Sequence, residues 1–174
     1  MKVKELQVSL GLPFGLGSIS GSWAPDDSEK EAAWEMYVEL ITRVSVEELG
    51  PDEGLLREAL SSLYSLFATT REILRRHGPG IARPKEGRDL SFGVIAVTVL
   101  NRGLRPLLAT WHPQLAHYES QRPPEISAVE HERRWDKAGE LRQALEDLRA
   151  TLRRYAELLA EVADVPPLTA PTTP

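Results

Sequence analysis

Apolar positions along this chain follow two rhythms. In residues 3–10, VKELQVSL, Leu6, Val8 and Leu10 alternate with polar side chains, and a period of two gathers them on one face of a strand. LGLPFG then supplies turn residues, and Phe14 to Trp23 reads as a returning strand, weakened by Gly15, Gly17 and Gly21. A lone hairpin is marginal in water. Residues 1–24 are therefore expected to form a hairpin or extended arm that lies on the helices or on another chain.

From Pro25 onward the rhythm becomes three and four. Ser28 and Glu31 fit a capping box, and Trp34, Tyr37, Ile41 and Val44 predict an amphipathic helix over 28–46. Pro51-Asp52-Glu53 opens a second helix with an unbroken stripe of Leu56, Leu60, Leu63, Phe67, Thr70 and Leu74. Arg71, Arg75, Arg76 and His77 crowd its last turn, where cations suit the helix dipole, and Gly78-Pro79-Gly80 stops it. A third helix begins near Asp89 or Ser91. Its apolar set is Phe92, Ile95, Val99, Leu104, Leu107, Leu108 and Trp111, too long for one strand. Pro106 removes a backbone bond and predicts a bend there, and Pro113 predicts a second bend or a new helix running to about Gln121. After the linker Gln121-Arg122-Pro123-Pro124, a fourth helix over 127–163 carries Leu141, Leu145, Leu148, Leu152, Tyr155, Leu159 and Val162. The Pro- and Thr-rich end, residues 164–174, is expected to be disordered. The pattern predicts a mainly α fold: an up-down bundle of about four helices over 25–163, the third proline-kinked, with an N-terminal β-hairpin.

Composition narrows the function. The 174 residues are 41% hydrophobic and 27% charged, as in ordinary globular proteins. A net charge of −5 gives no general attraction to nucleic acid or anionic membrane. The absence of cysteine excludes disulfides, thiol catalysis and cysteine-held zinc. The N-terminus is a poor signal peptide, and the longest apolar run, Phe92 to Leu100, is about half of a membrane span. The expectation is a soluble cytoplasmic protein.

Candidate chemistry centres on LNRGLRPLLATWHPQL. Thr98, Asn101, Arg105, Leu108, His112, Leu115 and Glu119 would share one seam of a continuous helix. If that seam faces a partner helix, Arg105 is buried and needs a carboxylate, for which Glu35, Glu39 or Glu58 are candidates. The alternative makes Asn101, Arg105, Trp111 and His112 a pocket at the Pro106–Pro113 kink that binds a small anion or nucleotide. A metal site from His112, His117, Glu119, His131 and Glu132 is disfavoured, because His112 and His117 are five apart and occupy different helix faces. Ser61, Ser62 and Ser65 lack a nucleophile elbow. The stretch RRHGPGIARPKEGR holds five cations against one acid but no interleaved aromatic, so it reads as an exposed loop. The long stripe of the fourth helix either packs along the full bundle or leaves part of itself to dimerise or dock a partner, with Trp135 as anchor and Leu141, Leu148 and Leu152 beside it. No cofactor is called for.

The phrase LNRGLRPLLATWHPQLAHYE, with GLLREALSSLYSLFATTREIL upstream, resembles small helical accessory proteins of bacterial conflict (defence) systems, in particular the CATRA-associated small proteins. The resemblance covers about residues 25–163 and rests on phrasing, with no catalytic motif. It implies a non-enzymatic partner of a larger NTPase or protease-like component and assigns no residue roles. The combined reading is a helical adaptor or regulatory subunit that binds a larger protein, or a second copy of itself, through the fourth helix, the N-terminal strand or both.

Overall fold

The computed structural model describes residues 4–43, 46, 50 and 53–168. Strand β1 (Leu6–Gly11) pairs antiparallel with β2 (Ser18–Trp23), Leu6 opposite Trp23 and Leu10 opposite Ile19. Between them a tight turn over Pro13–Gly15 places Phe14 at φ 61°. Leu6, Val8, Leu10, Ile19 and Trp23 are all buried, so the hairpin rests on the helices of its own chain.

Helix α1 (Asp27–Ile41) starts one turn's detail away from the expected box. Its N-cap is Asp26, whose side chain accepts from Glu29 N while Glu29 accepts from Asp26 N. The sequence DDSEKE contains both registers, and the structure takes the one that also buries Glu29. The inward face is Ala32, Ala33, Met36, Tyr37 and Leu40. Trp34, expected in the stripe, is 41% exposed, one position off the buried face of Ala33, Tyr37 and Leu40. The expected Val44 lies outside the described residues.

Helix α2 (Leu56–His77) buries Leu56, Leu60, Leu63, Phe67 and Thr70 as the stripe predicts. It begins later than Pro51-Asp52-Glu53 suggests; Pro51 and Asp52 lie outside the described residues. The third element is one joined helix: α3 (Phe92–Thr98), a π-helical segment over Val99–Leu104, and α4 (Arg105–Ser120). Arg105 N bonds to Leu100 O, five residues back. The distortion falls in the turn before Pro106, where the ring would meet the carbonyl four residues earlier. Pro113 sits inside α4 without ending it.

The expected helix over 127–163 is two helices, α5 (Ala128–Arg133) and α6 (Ala138–Val162). The break lets Trp135 turn inward, where its ring stacks on Tyr118 at 5.4 Å and meets Trp111 edge-on at 6.1 Å. Helix α6 runs along α1 and beneath the hairpin, and Leu141, Leu145, Leu148, Leu152, Leu159 and Val162 are buried along it. Its end is also tidier than expected. Asp164 takes φ 57°, Asp164 N bonds Glu161 O, and Val165 N bonds Ala160 O, a Schellman ending that folds Val165 onto the core. Leu168 N then donates to the Tyr37 hydroxyl at 3.0 Å, so residues 164–168 are ordered against the bundle; the rest of the expected disordered tail lies outside the described residues.

Two further points bear on stability and placement. The joined helix Phe92–Ser120 is long and apolar enough to cross a membrane by length and composition, but 56% of its apolar window is buried inside the fold. On α6, the buried Tyr155 hydroxyl has no hydrogen-bond partner among the described residues, and burial pushes its pKa above the usual phenol value. An unpaired buried hydroxyl costs about 1–3 kcal/mol. Tyr155→Phe is therefore expected to raise stability by about 1 kcal/mol, seen in a thermal melt as a rise of roughly 2–4 °C. A fall of that size would show that the hydroxyl holds a partner.

Candidate functional site

The parity of the hairpin ladder decides which strand edge is free. Leu12 N donates to Gly17 O at 2.8 Å, and the register runs on from that pair through Leu10–Ile19 and Val8–Gly21 to Leu6–Trp23. Backbone groups of successive strand residues point to opposite sides. The even-numbered residues of β1 therefore bond to β2, and Gln7 and Ser9 turn their N–H and C=O outward.

The outer edge of β2 is closed at Ser22. Ser22 O accepts from Asp89 N at 3.1 Å and Leu90 N at 3.0 Å, and Ser22 N donates to Asp89 Oδ2 at 3.0 Å. Gly21 makes this approach feasible: at φ +148° it has no side chain, and a Cβ there would lie 2.7 Å from Asp89 Cβ. The Ser22 amide and hydroxyl hold the Asp89 carboxyl below the usual carboxylate range. One end of β1 is closed too, since Thr151 Oγ1 on α6 donates to Gly11 O at 3.1 Å. Between these closures, the main chain of Gln7 and Ser9 has no partner among the described residues.

A groove of about 280 Å3 separates this edge from α6. Gln7, Val8, Ser9 and Leu10 form one wall; Arg154, Glu157, Leu158 and Glu161 form the other. Arg154 pairs with Glu157 at 2.7 Å and Glu161 with Lys4 at 3.7 Å, so the rim is charged yet locally neutral. Leu158 supplies an apolar patch within it. A strand edge beside a helix can take an extended peptide, with main-chain bonds from the strand and side-chain selection from the helix.

A second polar cavity, of about 270 Å3, is lined by Arg57, Glu119, Arg122, His131 and Glu132 together with Leu115 and Tyr118. Its groups are occupied. Glu132 accepts from Leu56 N at 2.9 Å and from Arg142 Nη2 at 3.2 Å. Burial pushes its carboxyl above the usual range, partly opposed by that amide and by Arg142. Tyr118 OH donates to His131 O at 2.6 Å, the His131 ring bonds Tyr118 O at 2.8 Å, and the two rings stack at 4.0 Å. These bonds fasten α5 to α4 and cap α2; they leave no free base or nucleophile.

The residues singled out from sequence are separated. Arg105 is exposed and bonds Asn101 Oδ1 at 3.2 and 3.0 Å; it is neither buried nor paired with Glu35, Glu39 or Glu58. Trp111 is buried on another face of α4, against Trp135. His112 bonds Arg57 at 2.8 Å, and Arg57 pairs with Glu119 at 2.9 Å. The seam was drawn for a regular helix, and the π segment turns the residues after it. Trp135, Leu141, Leu148 and Leu152 are all buried in the chain's own core, so a partner meets none of them on the folded surface. In the basic stretch, Arg76 pairs with Glu35 and Glu72, Lys85 with Asp26 and Glu29, and Arg88 with Glu5, so three of its five cations are taken up by the chain's own carboxylates. No group of three or more His, Asp or Glu side chains is placed to hold a metal among the described residues.

No protein family, no curated protein and no solved structure matches this chain.

Proposed function

We propose that the chain is a non-enzymatic helical adaptor that binds an extended segment of a larger protein by strand addition to the outer edge of β1. The observation that carries this reading is the main chain of Gln7 and Ser9, which has no partner among the described residues and faces the groove beside α6, whereas Gly11 on the same edge is held by Thr151 and Ser22 on the other edge by Asp89. An open edge is a hazard that folded proteins usually cover; one kept open beside a helix, in a strand whose inward face is fully buried, suits a docking function. The accessory role implied by the resemblance to conflict-system proteins belongs to the same proposal.

Ser9→Pro tests it. Proline at an outward-facing edge position removes no bond of the β1–β2 ladder but cannot donate to an added strand. The tagged wild type and Ser9→Pro are each captured from the source cells, and the eluates are analysed by mass spectrometry and light scattering. A stoichiometric partner held by wild type and lost by Ser9→Pro, with both proteins melting alike, is expected. In the captured complex the Gln7 and Ser9 amides should gain hydrogen-exchange protection. Equal capture by both proteins, a partnerless monomer, or a self-paired dimer overturns the reading.

A further inference from the structure

Most arginines in this chain are spent on its own carboxylates: Arg43 on Glu39, Arg57 on Glu119, Arg76 on Glu35 and Glu72, Arg88 on Glu5, Arg142 on Glu132, Arg154 on Glu157. With 26 acidic against 21 basic residues, partners are not scarce. Four exposed arginines on adjoining elements nonetheless have no carboxylate within ion-pair distance among the described residues: Arg71 and Arg75 on α2, Arg102 in the π segment and Arg105 at the start of α4.

Two of them are positioned. The Arg105 guanidinium lies 5.0 Å and that of Arg71 5.9 Å from the centre of the Phe67 ring. Both charges thus sit on one aromatic platform, approached from two helices. Asn101 accepts from Arg105 Nε and Nη2 and fixes the plane of the fork. Its third nitrogen, Nη1, has no hydrogen-bond partner among the described residues. Like charges on a shared platform repel, and an anion placed between them relieves that repulsion. On α2, Tyr64, Ala68, Arg71 and Arg75 follow at steps of four, three and four, which sets them on one face. Tyr64 is 46% exposed, and Ala68 leaves a dip beside Arg71, Arg75 and Glu72, the last neutralised by its pair with Arg76.

We propose that this α2–α4 face docks an acidic polypeptide segment, whose carboxylates pair with Arg105 and Arg71 and whose apolar side chains cover Tyr64 and Ala68. Charge complementarity selects the occupant. A guanidinium fork matches a carboxylate in two parallel bonds, and four separated cations suit spaced carboxylates. A nucleic acid needs a longer continuous basic track than these separated arginines provide. This surface uses none of the strand-edge residues, so the two proposals stand or fall separately.

The test is fluorescence anisotropy with a labelled peptide of alternating aspartate and leucine, beside a lysine–leucine peptide and a single-stranded oligonucleotide. Wild type is expected to bind the acidic peptide in a salt-sensitive manner and to ignore the basic one. Arg71→Gln/Arg105→Gln should weaken binding about tenfold or more, with unchanged melting because both side chains are exposed. Arg105→Lys should recover only part of it, since the fork is lost. Arg134→Gln, which removes an exposed arginine paired to Glu130, should leave binding intact. Failure to bind the acidic peptide, indifference to the double substitution, or preference for the oligonucleotide overturns the proposal.

Discussion

Glu29→Ala is expected to lose about 3–5 kcal/mol of stability, the range found when one partner of a buried charged network is deleted. Glu29 is 1% exposed. Its Oε1 accepts from Trp23 Nε1 at 2.9 Å and from Phe92 N at 3.0 Å; its Oε2 accepts from Asp26 N at 3.0 Å and lies 3.5 Å from Lys85 Nζ. One carboxylate thus joins the end of β2, the start of α1, the start of α3 and the loop before it. Alanine would strand two buried N–H donors, each costing about 1–3 kcal/mol, and free the half-buried Asp26 amide, while Lys85 keeps Asp26 as its partner. Such a loss is a large share of the roughly 5–15 kcal/mol available to a whole domain. Urea unfolding followed by tryptophan fluorescence checks it, because Trp23 is fully buried beside the lost acceptor. A midpoint close to wild type would mean that the three donors find other acceptors, and the account of Glu29 as the central tie would be wrong.

That tie was half visible in the sequence. DDSEKE announces a capped helix, but Ser28/Glu31 and Asp26/Glu29 fit equally well locally. What separates them is Trp23 and Phe92, the second 63 residues away, and no local pattern reports a partner at that distance. The elements themselves were legible where periodicity is long. The α2 stripe and the α6 stripe are both buried as spaced, and alternation found β1. The π segment was not written in the apolar spacing: Val99 to Leu104 is a step of five, but Leu100 to Leu104 is an ordinary step of four, and all three are buried. Treating the helix as regular carried the seam through that extra residue and put Arg105 in the core, whereas it lies outside. The candidate docking edge was legible only as a strand. Which of its sides is open depends on Asp89 closing β2 and on Thr151 holding Gly11, and those contacts exist only in the fold. The length of the α6 stripe does not by itself separate packing along the bundle from docking a partner; in the fold α1 and the hairpin lie along it, and Trp135 packs on Trp111 and Tyr118.

Glu132 performs for α2 what Glu29 performs for α3, and the two differ in how they should respond to pH. Leu55 provides no side-chain cap, so the first amide of α2 is satisfied by Glu132 from 76 residues away. Glu132→Ala strands that amide and costs about 1–3 kcal/mol. The carboxylate sits in a site where burial, helped by Glu119 and Glu58, outweighs the Leu56 amide and Arg142, so its folded pKa lies above the unfolded value. The folded state then binds the proton more tightly than the unfolded one. By linkage, Glu132's contribution falls as pH rises from the ordinary carboxylate value through the raised one, and the buried charge weighs fully above that window. Asp26 acts in the opposite sense. Burial raises its pKa, but Lys85 and the Glu29 and Ser28 amides bring it below the ordinary value, so its contribution is present above the unfolded pKa and lost as pH falls through the folded one. The total pH profile mixes the two. The informative quantity is the stability difference between Glu132→Gln and wild type, measured by urea unfolding across the acid range. Glutamine keeps one acceptor for Leu56 N and cannot ionise. The difference should move in favour of Glu132→Gln as pH rises through the window, then level off. A flat difference, or one that favours wild type as pH rises, would place the folded pKa at or below the unfolded one and assign the Leu56 amide and Arg142 more weight than burial.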